Sequence, residues 1–131
     1  SAGLLEQSDN PAALTLKGRL LKDRARAATG ADRARLFAES GEAYSAAARL
    51  RPEDSYPLIN AAAMALFAGN DGSAQTLATM ALTLIDDGID PGETPYWREA
   101  TRAEALLLLG RDAEAQASLS AAITMPRKLG R

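Results

Sequence analysis

The side chains of this 131-residue chain that could do chemistry are carboxylates, amides, hydroxyls and cations. It has no cysteine and no histidine. Without cysteine there is no thiolate nucleophile and no zinc–thiolate site. Without histidine the side chain that most readily exchanges protons near neutral pH is missing, as is the commonest metal ligand. Catalysis would fall to Ser, Tyr, Asp, Glu or Lys alone. The densest acidic run, Asp86, Asp87, Asp90 and Glu93, fails as a calcium loop. Gly88 occupies the middle ligand position and no bidentate glutamate stands at the twelfth. Ser8-Asp9-Asn10 resembles one element of the penicillin-binding set, but its Ser-x-x-Lys and Lys-Thr-Gly companions are missing. No glycine loop suited to phosphate is present. The expectation is no catalytic residue, no metal and no cofactor. An enzyme using only Asp, Glu and Ser is the remote alternative.

Residues suited to binding are easier to find. Asn60 sits in an alanine-rich stretch where asparagine is a poor helix former, so it is either bonded to its neighbours or turned toward a ligand. Tyr96 and Trp97 open a later segment. Packing at a helix start would explain them, although Trp and Tyr are also favoured interface anchors. Arg19, Lys22, Arg98 and Arg102 read as solvated helix faces open to partner contact.

The elements that position these residues are helical. Alanine dominates a composition that is 47% hydrophobic and 5% aromatic, valine is absent, and no β-branched run suggests a strand. Punctuation marks six helices at about 11–29, 32–50, 55–68, 71–86, 95–109 and 112–125. Asn10-Pro11 opens the first, Gly30 closes it and Asp32 caps the second. Pro52 ends the second, and the Gly69–Gly72 and Gly110–Asp112 breaks are tight. Ala74, Leu77, Ala78, Ala81, Leu82 and Ile85 form one apolar stripe at helical spacing. Short connections make successive helices antiparallel neighbours.

The chain also matches itself. A shift of 41 residues places Ala62 on Ala103, Leu66 on Leu107, Gly69 on Gly110, Ala74 on Ala115, Ala81 on Ala122 and Leu82 on Ile123. A shift of 34 places Tyr44, Ala47 and Ala48 on Ala78, Ala81 and Leu82. Small residues stay small at the crossings and glycine stays at the turn. Periods in this range indicate stacked helical hairpins.

Charge is segregated within a net −2. Residues 1–51 balance to +3, residues 52–94 carry seven acids with no Lys or Arg, and residues 95–131 balance to +2. This argues against general nucleic-acid binding. No apolar run is long enough to span a membrane. Asp86, Asp87, Asp90 and Glu93, with Glu53 and Asp54, are expected to gather along one acidic edge. The start at Ser1 rather than Met suggests part of a longer protein.

Leu-x-x-Gly-(x)4-Ala-(x)6-Ala-Leu/Ile, at Leu66–Leu82 and Leu107–Ile123, resembles the tetratricopeptide repeat, as does Tyr44-x-x-Ala47-Ala48 followed by Pro52. Gly18–Arg24, Tyr44, Tyr56–Ala62 and Tyr96-Trp97 are similar to one particular array. That array is the TRAF-binding regulatory repeat region of apoptosis-signal-regulating kinases and its bacterial relatives. The resemblance implies an all-α right-handed stack of three antiparallel helix pairs, about 11–50, 55–86 and 95–125. An extension would precede it at 1–10, and a tail would follow at 126–131. It also implies that the first helix of each pair lines a concave face, where Asn60, Tyr56, Phe67, Arg19, Lys22, Trp97 and Arg98 become candidates for contact. Peptide-carboxylate clamps in such arrays use two asparagines. Here only Asn60 fits, and the matching positions hold Thr15, Arg19, Trp97 and Thr101. The implied function is a non-catalytic cytoplasmic scaffold or regulatory module that holds a protein or peptide. The alternative is a homo-oligomerising module that clusters a neighbouring effector domain.

Overall fold

The structure is a computed structural model that describes residues 10–90 and 94–127. Among these residues there are six α-helices: α1 (Pro11–Ala27), α2 (Gly30–Leu50), α3 (Ser55–Phe67), α4 (Asp71–Asp86), α5 (Pro95–Leu108) and α6 (Asp112–Ile123).

Local chemistry explains most of the helix ends. Asn10, Asp54, Asn70 and Thr94 each accept a backbone N–H of the helix that follows, satisfying a donor with no partner inside the helix. Pro11 and Pro95 occupy first-turn positions where a missing N–H costs nothing. At the C-termini of α3 and α5 the matched Gly69 and Gly110 hold φ of 88° and 76°, a conformation that side chains disfavour. Each lets the next residue bond back five positions: the Asn70 N–H donates to Ala65 O and the Arg111 N–H to Leu106 O. The α1–α2 junction departs from expectation. Asp32 does not cap α2; the helix starts at Gly30, Thr29 stands at the cap without a side-chain bond, and Asp32 falls in the first turn. There its charge still favours the helix dipole.

Each helix packs on the next in sequence, and α3 also packs on α5. Alternate helices α3 and α5 therefore sit side by side, as a progressive stack of hairpins requires. The six alanines expected at crossings, Ala62, Ala74, Ala81, Ala103, Ala115 and Ala122, are all buried. One core cluster joins Ala48, Leu58, Ile59, Ala78, Leu82 and Leu106. A second joins Leu21, Leu36, Phe37, Tyr44, Ala61 and Met64. At the first crossing Gly18 lets α1 ride on the Tyr44 ring, since a Cβ there would stand 2.8 Å from a ring carbon. Beside it the Ser40 hydroxyl donates to Gly18 O at 2.6 Å, so this buried serine is satisfied.

Candidate functional site

Three helices, α1, α3 and α5, bring Lys22, Asn60 and Glu104 into one neighbourhood. Asn60 stands at the middle. Its amide donates to Tyr56 O one turn back, at 2.9 Å, and its carbonyl accepts from Lys22 Nζ at 3.5 Å. Lys22 also lies over the Tyr44 ring, 5.9 Å from its centroid, a cation–π arrangement. Burial, helped by nearby Arg26, lowers the Lys22 pKa below its ordinary value, while Asp23 and, less strongly, Glu104 pull the other way. Burial likewise raises the Glu104 carboxyl, against the opposing pull of Lys22. Glu104 is exposed at the surface, yet neighbouring protein strips part of the hydration of its carboxyl. Lys22 and Glu104 thus influence one another across α3 without closing an ion pair. A cation and a carboxylate, both partly desolvated and held apart around an amide, can orient a ligand by charge and hydrogen bonding.

Beneath this row lies Tyr44, fully buried, whose hydroxyl finds no hydrogen-bond partner among the described residues. Burial pushes its pKa up to about 12, so the phenol stays protonated at physiological pH. Glu104 and the Tyr44 hydroxyl escaped sequence reasoning. Nothing in the sequence near Glu104 sets it apart from other helix acids, and Tyr44 enters the sequence reading only as a repeat aromatic.

The other expected contacts divide. Arg19 is exposed on α1, three residues before Lys22. Tyr56 is half-buried beside Asn60. Phe67 lies at the C-terminal end of α3, two turns beyond Asn60, exposed but tilted against Phe37 of α2 with ring centroids 5.2 Å apart. Trp97 and Tyr96 form an edge-on pair at the opposite end of the stack, with centroids 5.0 Å apart. The Arg127 guanidinium covers both rings, 5.2 Å from the centroid of Trp97, so the start of the expected tail folds back on α5. Arg98 is half-buried one residue further on.

The acidic edge requires correction. Asp90 is not on a surface: it is buried, and its carboxylate accepts the Ser55 N–H at 2.7 Å, tying the α4–α5 connection to the start of α3. Asp86 is not left without local neutralisation. Arg102, expected on a solvated face, donates to it at 2.8 Å and to the buried Ser118 hydroxyl at 2.7 Å. The shift of 41 residues places Ser118 on Leu77, so Arg102 and Ser118 replace an apolar contact with a polar clamp. Asp87 is exposed. Glu93 lies outside the described residues.

A separate groove runs along the side formed by α2 and α4. One stretch, of about 660 Å³, is bordered by Gly41, Glu42, Arg49 and Leu77. The adjoining stretch, of about 740 Å³, is more apolar and includes Leu58, Thr76 and Met80. Among the described residues no group of acids is placed to hold a metal ion, and no helix is long and apolar enough to cross a membrane.

A family model described as Tetratricopeptide Repeats-Sensor matches residues 2–65, just under half of the chain. The match covers α1, α2 and most of α3. With the stacked pairs and their conserved-register turns, it supports a tetratricopeptide-like family for the array. Comparison with curated proteins and with solved structures returned no match.

Proposed function

We propose that this array is a non-catalytic regulatory module that binds a protein or peptide segment on the face shared by α1, α3 and α5. Repeat domains of this type generally mediate protein–protein interaction, which gives the class of function. The observation that carries the particular site is the Lys22–Asn60–Glu104 row, contributed by three alternate helices and left with both charges apart. A bound segment offering an acid to Lys22 and a donor to Glu104 would replace the hydration that the fold removes. The description of the matching family as a sensor agrees with a regulatory role, as does the resemblance to the kinase regulatory region.

The test is a random-peptide display selection on the wild-type protein, followed by titration of the recovered peptide. Asn60→Ala and Lys22→Ala are expected to weaken it about tenfold each, a loss of about 1.4 kcal/mol. Undiminished affinity in both variants would remove this face from the site.

A further inference from the structure

Each helix pair carries the same outward face on its second helix, and the fate of that face changes along the stack. On α2 the face includes Tyr44 and Ala48, 0% and 6% exposed. They share clusters with Ala61 and Met64, and with Leu58 and Ile59, all on α3. The matched face of α4 carries Ala78 and Leu82, 0% and 7% exposed, in the cluster that includes Ala105 and Leu106 of α5. On α6 the shift of 41 residues brings Leu119 and Ile123 to these positions, and they are 39% and 80% exposed.

The opposite end of the stack shows the complementary situation. Pro57 and Ala61 lie buried on α3. Gly41 of α2 faces this side of α3, where a Cβ at Gly41 would meet Met64 Cβ and Ala61 O. On α1 the buried residues are Leu14, Gly18, Leu21 and Ala25, and Leu16 and Leu20 stand on the opposite side of that helix, 48% and 51% exposed. One end therefore presents the apolar face that a following hairpin covers elsewhere in the chain. The other presents the exposed outer face of a first helix, and first helices do the covering inside the stack.

We propose that this chain associates end to end, the Leu119–Ile123 face of α6 in one copy packing on the Leu16–Leu20 face of α1 in the next. The contact continues the α2–α3 and α4–α5 packing already inside the molecule, with antiparallel helices. That orientation sets the first turn of α6, which carries Asp112 and Glu114, beside the last turn of α1, which carries Arg24 and Arg26. Glu114 is bridged by Arg111 and Arg26 by Asp23, so the attraction across the contact falls to Asp112 and Arg24. Burying two exposed leucines against a leucine and an isoleucine adds the apolar drive. The interface is heterologous, so it propagates into open chains rather than closing at a dimer.

Sedimentation velocity of the wild-type chain and two variants, Leu20→Glu and Ile123→Glu, tests this. Both residues are exposed, and circular dichroism checks that each variant remains helical. The wild type is expected to grow beyond a dimer as concentration rises from micromolar to millimolar. Each variant alone lacks one half of the contact and is expected to stay monomeric. An equimolar mixture restores one good pair of faces and is expected to give one-to-one complexes and nothing larger. A wild type that stays monomeric to millimolar concentration overturns the proposal, as do variants that associate like the wild type or a mixture that stays monomeric. Association by Leu20→Glu alone, with Ile123→Glu monomeric, would mean a symmetric α6–α6 contact and also overturns it.

Discussion

The Asp90 carboxylate accepts the Ser55 backbone N–H at 2.7 Å, joining two segments 35 residues apart. A buried carboxylate at the start of α3 meets both a first-turn N–H, which helix bonding does not reach, and the positive end of the helix dipole. Asp90→Ala is expected to destabilise the protein by about 1–3 kcal/mol, because a buried backbone donor loses a charged acceptor. Urea denaturation measures this; an unchanged midpoint would show that the contact contributes nothing.

Tyr44 offers the opposite case. Its ring is tightly held by Gly18, but its hydroxyl is buried without a partner among the described residues. Tyr44→Phe keeps the ring and removes that group, so stability is expected to hold or to rise by up to about 1 kcal/mol. A loss above that size would show a hidden partner. Gly18→Ala, by contrast, drives a methyl into the ring and is expected to cost about 1–3 kcal/mol.

These two tyrosine and aspartate relationships show what the sequence could and could not reveal. Helix number, the turn glycines and the buried alanines were legible because propensity, punctuation and apolar spacing all act within a few residues of one another. The 41-residue self-match then showed which small residues hold equivalent places in successive pairs. Asp90 was misassigned to a surface edge because its partner lies 35 residues away, and nothing local distinguishes a buried capping aspartate from a solvated one. Arg102 was misread for the same reason: its partners, Asp86 and Ser118, each stand 16 residues off on different helices. Within the candidate site, Asn60 stood out as a poor helix former. Glu104 did not, since glutamate on a helix is ordinary until its neighbours are known.

Arg102 therefore has a structural role open to direct measurement. Arg102→Ala leaves Ser118 buried without its donor and frees Asp86 at a helix C-terminus, where negative charge is disfavoured. A loss of about 1–2 kcal/mol is expected in thermal unfolding. Arg102→Leu is expected to recover part of it, because the matched crossing in the preceding pair is apolar.

Glu104 gives a pH signature. Its carboxyl is raised in the folded protein, chiefly by burial, so the folded state binds more protons than the unfolded state between the ordinary and the raised values. Stability contributed by this group is therefore lost as pH rises through that window, and the cost persists at neutral pH. Glu104→Gln is expected to be more stable than the wild type near neutrality and to lose that advantage below the ordinary carboxyl range. Glu104 is exposed to screening by solvent, so the difference should remain below about 1 kcal/mol. An advantage that is constant across acid pH would assign it to something other than ionisation.

The central claim is that the α1, α3 and α5 face holds the partner. Amide chemical-shift mapping with a display-selected peptide tests it most directly. The account predicts perturbations that centre on Lys22, Asn60 and Glu104 and spread to Arg19 and Tyr56. Perturbations confined to the α2–α4 groove, around Arg49, Leu77 and Met80, would contradict it.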